Sequence, residues 1–102
     1  MLELNDANFD STVEKGIAIV DFWAPWCGPC KMMTPIVEKI AKNNPDFVVG
    51  KVDIDKSPSI ATRFNVMSIP TIIILKDGQP MDQTVGVVNE KTIMDKVNAL
   101  GG

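Results

Sequence analysis

Apolar and polar positions along this chain fall into blocks whose period switches between strand and helix. Ile17-Ala18-Ile19-Val20-Asp21-Phe22-Trp23 is apolar on both faces apart from Asp21, the pattern of a strand covered on two sides. Phe47-Val48-Val49-Gly50-Lys51-Val52-Asp53 reads as a second central strand, and Thr71-Ile72-Ile73-Ile74-Leu75 as a third. Between the first two, Met33, Ile36, Val37, Ile40 and Ala41 recur at the spacing of one helix face and predict its buried side. Glu38, Lys39, Lys42 and Asn43 take the wet side. This helix is predicted to begin at Cys27 or Gly28. Pro29 is tolerated in its first turn, where an N–H lacks an intrahelical partner anyway. Pro35 falls inside it and predicts a kink, and Pro45 lies just beyond its end.

Shorter signals fill the gaps. Asn5 or Asp6 is placed to cap a short helix that turns Phe9 and Val13 inward and stops at Gly16. Ser57 is placed to cap another, with Pro58 at its first position, Ile60, Ala61 and Phe64 inward, and Asn65 at a left-handed C-terminal position. Asp77-Gly78 predicts a turn into an antiparallel partner ending near Val85-Gly86. Asn89 caps the last helix, whose Ile93, Val97 and Leu100 face inward. With a short N-terminal strand, the order is β-α-β-α-β-α-β-β-α. That order predicts an α/β fold with a single central mixed β-sheet flanked by helices on both faces, its final pair an antiparallel edge.

The chemistry concentrates in Trp26-Cys27-Gly28-Pro29-Cys30-Lys31, directly after the first strand. Cys27 and Cys30 are the only cysteines. Residues three apart on a helix bring their Cβ atoms to about 5–6 Å. A disulfide accepts a Cα separation of roughly 4.4–6.8 Å, so this pair can open and close with little backbone movement. The chain has no histidine. The usual general base and the commonest metal ligand are therefore missing, and proton chemistry falls to a carboxylate, a lysine, the backbone or water.

Composition narrows the setting. At 102 residues the chain is read as one domain, residues 1–102, long enough to bury a core. Apolar residues make up 45%, ordinary for a soluble fold. No apolar run reaches the roughly 18 residues of a membrane span. Met1-Leu2-Glu3-Leu4-Asn5-Asp6 has neither the basic flank nor the apolar stretch of a signal peptide, so the expected location is the cytoplasm. Net charge is −3 with dispersed Lys and Arg, and no basic groove for nucleic acid emerges. Two cysteines in a reducing compartment point to redox or metal chemistry over a structural staple.

The alternatives for the cysteines differ in strength. A disulfide closing so short a ring constrains the unfolded chain little. A zinc site needs four ligands, which one chain lacks and two chains could pool as four thiolates. Redox chemistry is the leading reading. For Asp21, one reading is a strand-end carboxylate bonded to backbone or exposed. The other is a buried carboxylate with a raised pKa, fitted to accept a proton. Lys51, inside an apolar strand, either snorkels to solvent or acts on that carboxylate.

The motif and the layout together resemble the thioredoxin family over nearly the whole chain. The resemblance is carried by Asp21 to Lys31, by Lys51-Val52-Asp53-Ile54-Asp55, by Ser68-Ile69-Pro70-Thr71, by Lys76-Asp77-Gly78 and by Val85-Gly86. The chain departs at its short N-terminal strand, at Phe64, where many relatives carry tyrosine, and at Val87, where alanine is common. The resemblance implies a thioredoxin fold and a thiol-disulfide oxidoreductase that reduces disulfides in protein substrates through a Cys27/Cys30 dithiol and a mixed disulfide. Cys27, at the helix start and expected to face outward, would attack. Cys30, one turn in, would resolve. The family's own value implies a Cys27 pKa of about 7 against about 8.5 for free cysteine. A helix N-terminus typically supplies about 0.3–1 kcal/mol of the roughly 2 kcal/mol this needs, and hydrogen bonds to the thiolate would supply the rest.

The resemblance also assigns partners and neighbours. Asp21 would lie beneath Cys30 and relay its proton, with Lys51 tuning it. The Ile69-Pro70 bond would be cis and border the cysteines, exposing the Ile69 backbone to pair with a substrate segment as a short added strand. Trp26, Gly28, Pro29, Ile69, Pro70 and Gly86 would face substrate, with Val66 and Met67 widening an apolar rim. Trp23, Met33 and Met94 read as packing. The recycling partner, by the same resemblance, would be an NADPH-dependent thioredoxin reductase; this chain carries no glycine-rich nucleotide fingerprint of its own. No cofactor or metal of its own, no membrane and a monomeric state are expected. Gly28-Pro29 favours reduction over the oxidase or isomerase relatives, which usually carry histidine inside the motif. A rival class is a binding module in which the dithiol is incidental.

Overall fold

The structure is a computed structural model and describes residues 1–101. In chain order its elements are β1 (Leu2–Leu4), α1 (Phe9–Val13), β2 (Ile17–Trp23), α2 (Gly28–Asn43), β3 (Val48–Asp53), α3 (Pro58–Arg63), β4 (Thr71–Lys76), β5 (Gln79–Val85) and α4 (Glu90–Ala99). The predicted order is reproduced. The strands form one sheet in the order β1-β3-β2-β4-β5. β1, β3 and β2 run parallel, β4 is antiparallel to β2, and β5 is antiparallel to β4.

Antiparallel pairing therefore begins inside the sheet, and not only at the edge pair the sequence suggested. Thr71 to Leu75 is buried at every position, so this strand needs a neighbour on each side and cover on both faces. Its apolarity called for an interior place and said nothing of its direction.

Alternation along β2 sorts the core into two layers. Ala18, Val20 and Phe22 join Phe9, Val13 and Ile60 under α1 and α3. Ile17 and Ile19 join Met33, Val37, Ile40, Ile93 and Val97 under α2 and α4. The same alternation places Asp21 and Trp23 on the α2 side. Gly50 is required by close approach: a Cβ there would lie 2.7 Å from a methyl of Leu4, so β1 packs onto β3 only with glycine opposite Leu2.

Element ends follow partly different chemistry from the sequence reading. Asn89 caps α4 as predicted, accepting the Thr92 N–H at 2.9 Å. Asn65 is left-handed, with φ 56°. α1, however, begins after Asn8, and neither Asn5 nor Asp6 caps it. The Asn5 carboxamide instead accepts the N–H groups of Ala7 and Asn8 in the preceding turn. Ser57 stands at the α3 N-cap without a side-chain cap bond. The Asp53 carboxylate holds that turn, accepting from the N–H groups of Asp55 and Lys56.

Both sheet margins are short or interrupted. β1 has three residues. β5 carries Pro80 and a register shift opposite Ile74 and Leu75. Among the described residues no helix is long and apolar enough to cross a membrane.

Candidate active site

The dithiol is positioned by the start of α2. Cys27 is the N-cap, in extended conformation, and Cys30 closes the first turn. The two sulfurs are bonded, with Cα atoms 5.3 Å apart. The Cys30 N–H points at the Cys27 sulfur, 3.2 Å away. This is the orphan donor of a helix start aimed at the atom that carries charge when the pair is reduced.

One expectation fails here. Cys27 does not stand out into solvent: it is 5% exposed, against 1% for Cys30. Ala24, Trp23, Ile54 and Ile69 pack around the pair. The outward side of the N-cap is closed by residues distant in sequence, which helix geometry alone cannot reveal. The asymmetry between the sulfurs remains.

A hollow of about 240 Å³ lies beside the pair, lined by Trp26, Ile54, Val66, Met67, Ser68 and Ile69. No charged side chain lines it. Trp26 is 68% exposed and Met67 84%, large apolar surfaces that mark a contact site. The Ile69 carbonyl oxygen lies 3.9 Å from the Cys27 sulfur. The Ile69-Pro70 peptide is cis, as the resemblance implied. Pro70 is buried, and its carbonyl accepts the Gly86 N–H at 2.8 Å, which brings Gly86 to the same rim. Gly86 has φ 91° and open space where a Cβ would stand. Gly28 and Pro29 are exposed in the first turn of α2.

In β2 Asp21 is 1% exposed, and its Oδ1 has no hydrogen-bond partner. Loss of water around the carboxylate raises its pKa from 3.8 to about 7, against an opposing pull from Lys51. The reading of Asp21 as an exposed or backbone-bonded strand end is thereby excluded. Lys51 stands opposite Asp21 across β2 and β3. Its ammonium lies 4.8 Å from the centre of the Trp23 ring, so it is partly withdrawn from water beside a buried carboxylate. Met33 is fully buried, as expected of packing.

Asp55 is a site residue the sequence reading gave no role. Its carboxylate accepts the Trp26 indole N–H at 2.9 Å. A second aspartate just beyond Asp53 was the available signal, but only the fold brings it to Trp26.

The family model described as Thioredoxin matches residues 1–99. Curated thioredoxins of Staphylococcus aureus, strains MW2 and COL, are 51% identical over 87 residues, covering 84% of this chain and 84% of theirs. The solved structure of a mutant thioredoxin from Halobacterium salinarum NRC-1 superposes with TM-score 0.89 at 30% identity, over 96% of this chain and 88% of that one.

Proposed function

The chain belongs to the thioredoxin family, whose members are protein-disulfide oxidoreductases, and we propose how its Cys27/Cys30 dithiol divides that work. In the reduced protein the Cys27 thiolate attacks one sulfur of a substrate disulfide. A mixed disulfide forms and the other substrate sulfur leaves as a thiolate. The proton of the Cys30 thiol passes to the Asp21 carboxylate. The Cys30 thiolate then attacks the Cys27 sulfur, the second substrate thiolate departs and takes up a proton, and Cys27–Cys30 closes as a disulfide. Two electrons have moved from protein to substrate.

The observation that carries this reading is the Cys30 N–H at 3.2 Å from the Cys27 sulfur, which favours Cys27 as the thiolate. Asp21 supports it: a carboxylate whose pKa is raised to about 7 both accepts and returns a proton near neutral pH. Lys51 tunes that affinity through its charge. Trp26, Gly28, Pro29, Ile69, Pro70 and Gly86 form the docking rim, and an extended substrate segment pairs with the Ile69 backbone while its apolar side chains enter the hollow beside Met67.

Substrates are disulfide-bearing proteins, and a reductase restores the dithiol. Our reading is that this reductase draws on NADPH, that the chain works as a monomeric domain spanning residues 1–102, and that it acts in the cytoplasm, where the thiol pool favours the reduced form. The test is reduction of insulin with dithiothreitol as regenerant. Cys27→Ser abolishes attack, whereas Cys30→Ser attacks once and stalls as a covalent adduct. Adduct formation by Cys27→Ser and not by Cys30→Ser would reverse the assignment. A binding module keeps its partner with both cysteines replaced by serine.

A further inference from the structure

Glu3, Lys51 and Asp21 stand opposite one another on three adjacent strands. Glu3 pairs with Lys51 across β1 and β3, and Lys51 pairs with Asp21 across β3 and β2. Directly opposed residues point to the same face of a sheet. The three side chains therefore form one row on the α2 side. It runs from an exposed carboxylate through a half-buried ammonium to a buried carboxylate without a partner for Oδ1.

Glu3 and Lys51 also line one polar cleft of about 150 Å³ with Asp53, Lys56 and Ser57, so water reaches the ammonium from the β1 side. Among the described residues Lys51 makes no ion pair and rests over the Trp23 ring. Asp53 also faces the cleft, with Oδ1 accepting two backbone N–H groups, while Glu3 is the carboxylate directly opposite Lys51. On its other side Asp21 meets a neutral neighbour, Ile72 of β4, and Lys51 is the one charge that acts on it. Lys56, the remaining cation of the cleft, is exposed at the start of α3.

We infer that Glu3 is a positioning residue for the proton transfer at Asp21, drawing the Lys51 ammonium toward the β1 edge and so setting how strongly Lys51 favours the ionised carboxylate. The inference rests on the proposed relay role of Asp21. With Glu3 ionised, part of the Lys51 charge is answered at the sheet margin and Asp21 holds its proton to higher pH. Without that charge, Lys51 acts on Asp21 alone and the proton leaves at lower pH. Glu3 is two strand spacings from Asp21, roughly 9–10 Å. A unit charge at that range moves a titration by about 0.3–1 pH unit.

The test follows the Asp21 carboxyl by carbon NMR in the oxidised protein, for wild type, Glu3→Gln, Glu3→Lys and Glu3→Asp. Glu3→Gln is expected to lower the Asp21 midpoint by about 0.3–1 pH unit. Glu3→Lys lowers it further, and Glu3→Asp restores most of the wild-type value. In about 1 M salt, where the Debye length is near 3 Å, the difference between wild type and Glu3→Gln shrinks. A midpoint that stays in place in Glu3→Gln, or that moves equally at both salt concentrations, overturns the inference. The pH profile of mixed-disulfide resolution in Asp21→Asn separates the two claims. If that profile equals wild type, the relay fails and the inference with it. If it changes while Glu3→Gln leaves the Asp21 midpoint alone, only the role of Glu3 fails.

Discussion

Trp26 donates its indole N–H to Asp55 at 2.9 Å, tying the residue before Cys27 to the segment that follows β3. The ring stays exposed and yet has one orientation, so it forms a fixed wall of the apolar hollow. A partner meets a surface already shaped for it and loses less freedom on docking.

Asp55→Ala is expected to release that wall. An exposed hydrogen bond of this kind contributes about 0.5–1.5 kcal/mol, so KM for a protein disulfide should rise about two- to tenfold. A small aromatic disulfide, which does not need the wall, should be reduced at close to the wild-type rate. Steady-state kinetics with the two substrates side by side checks this, and an equal loss on both would place Asp55 in the chemistry and not in docking.

Brief iodoacetamide treatment of the reduced protein at neutral pH should label Cys27 well before Cys30. Cys27 receives the helix-start N–H and is the less buried of the two, and thiolate character with access decides alkylation. Peptide mapping after a short pulse gives the order. Equal labelling would mean that the first turn of α2 does not distinguish the sulfurs.

Asp21→Asn should raise stability, and only in a defined pH window. The native carboxyl holds its proton up to about 7 instead of 3.8. Folding is thus helped where the group is neutral, and that help is lost as pH rises from about 4 through about 7. The displacement corresponds to at most roughly 4 kcal/mol. The asparagine amide keeps an unsatisfied buried group costing about 1–3 kcal/mol. The net gain expected above neutral pH is about 1–2 kcal/mol, vanishing or reversing near pH 4. Urea midpoints at the two ends of the window measure it, and resolution of the mixed disulfide near neutral pH should slow in the same variant.

Gly86→Ala isolates backbone strain from collision. A methyl group there has open space, but φ is 91°, so the cost is conformational, about 1–2 kcal/mol. Because Gly86 donates to the Pro70 carbonyl, the substitution should also weaken protein-disulfide reduction while leaving alkylation of Cys27 unchanged. A variant as stable as wild type would show that the loop relaxes to another conformation without penalty.

The sequence is legible where one residue type in one place has few physical explanations. Two thiols three apart at a helix start, and a single carboxylate within a strand apolar on both faces, are of that kind. Cys27 and Cys30 accordingly open α2 as a bonded pair, and Asp21 is buried in β2 with Oδ1 unpartnered. Properties that depend on what comes alongside were not legible. The burial of Cys27 comes from Ile54 and Ile69, and the anchoring of Trp26 from Asp55. The direction of β4 and the alignment of Glu3 with Lys51 arise from strand order and register, which no local pattern encodes. The failed caps teach the same point: the Asn5 carboxamide is taken by the turn before α1, and Asp53, not Ser57, holds the turn before α3.

The interrupted margins of the sheet bear on a protein that handles other chains. A long open edge invites any extended segment to add itself as another strand. Here β1 is too short to template one, and on β5 Pro80 brings no N–H while the register slips beside it. Unfolded clients held by a transient covalent tether find little to adhere to at either border. Once the sulfur bond to Cys27 is cut, the client keeps no hold on the sheet borders, and turnover is protected by the poverty of the edges as much as by the chemistry of the centre.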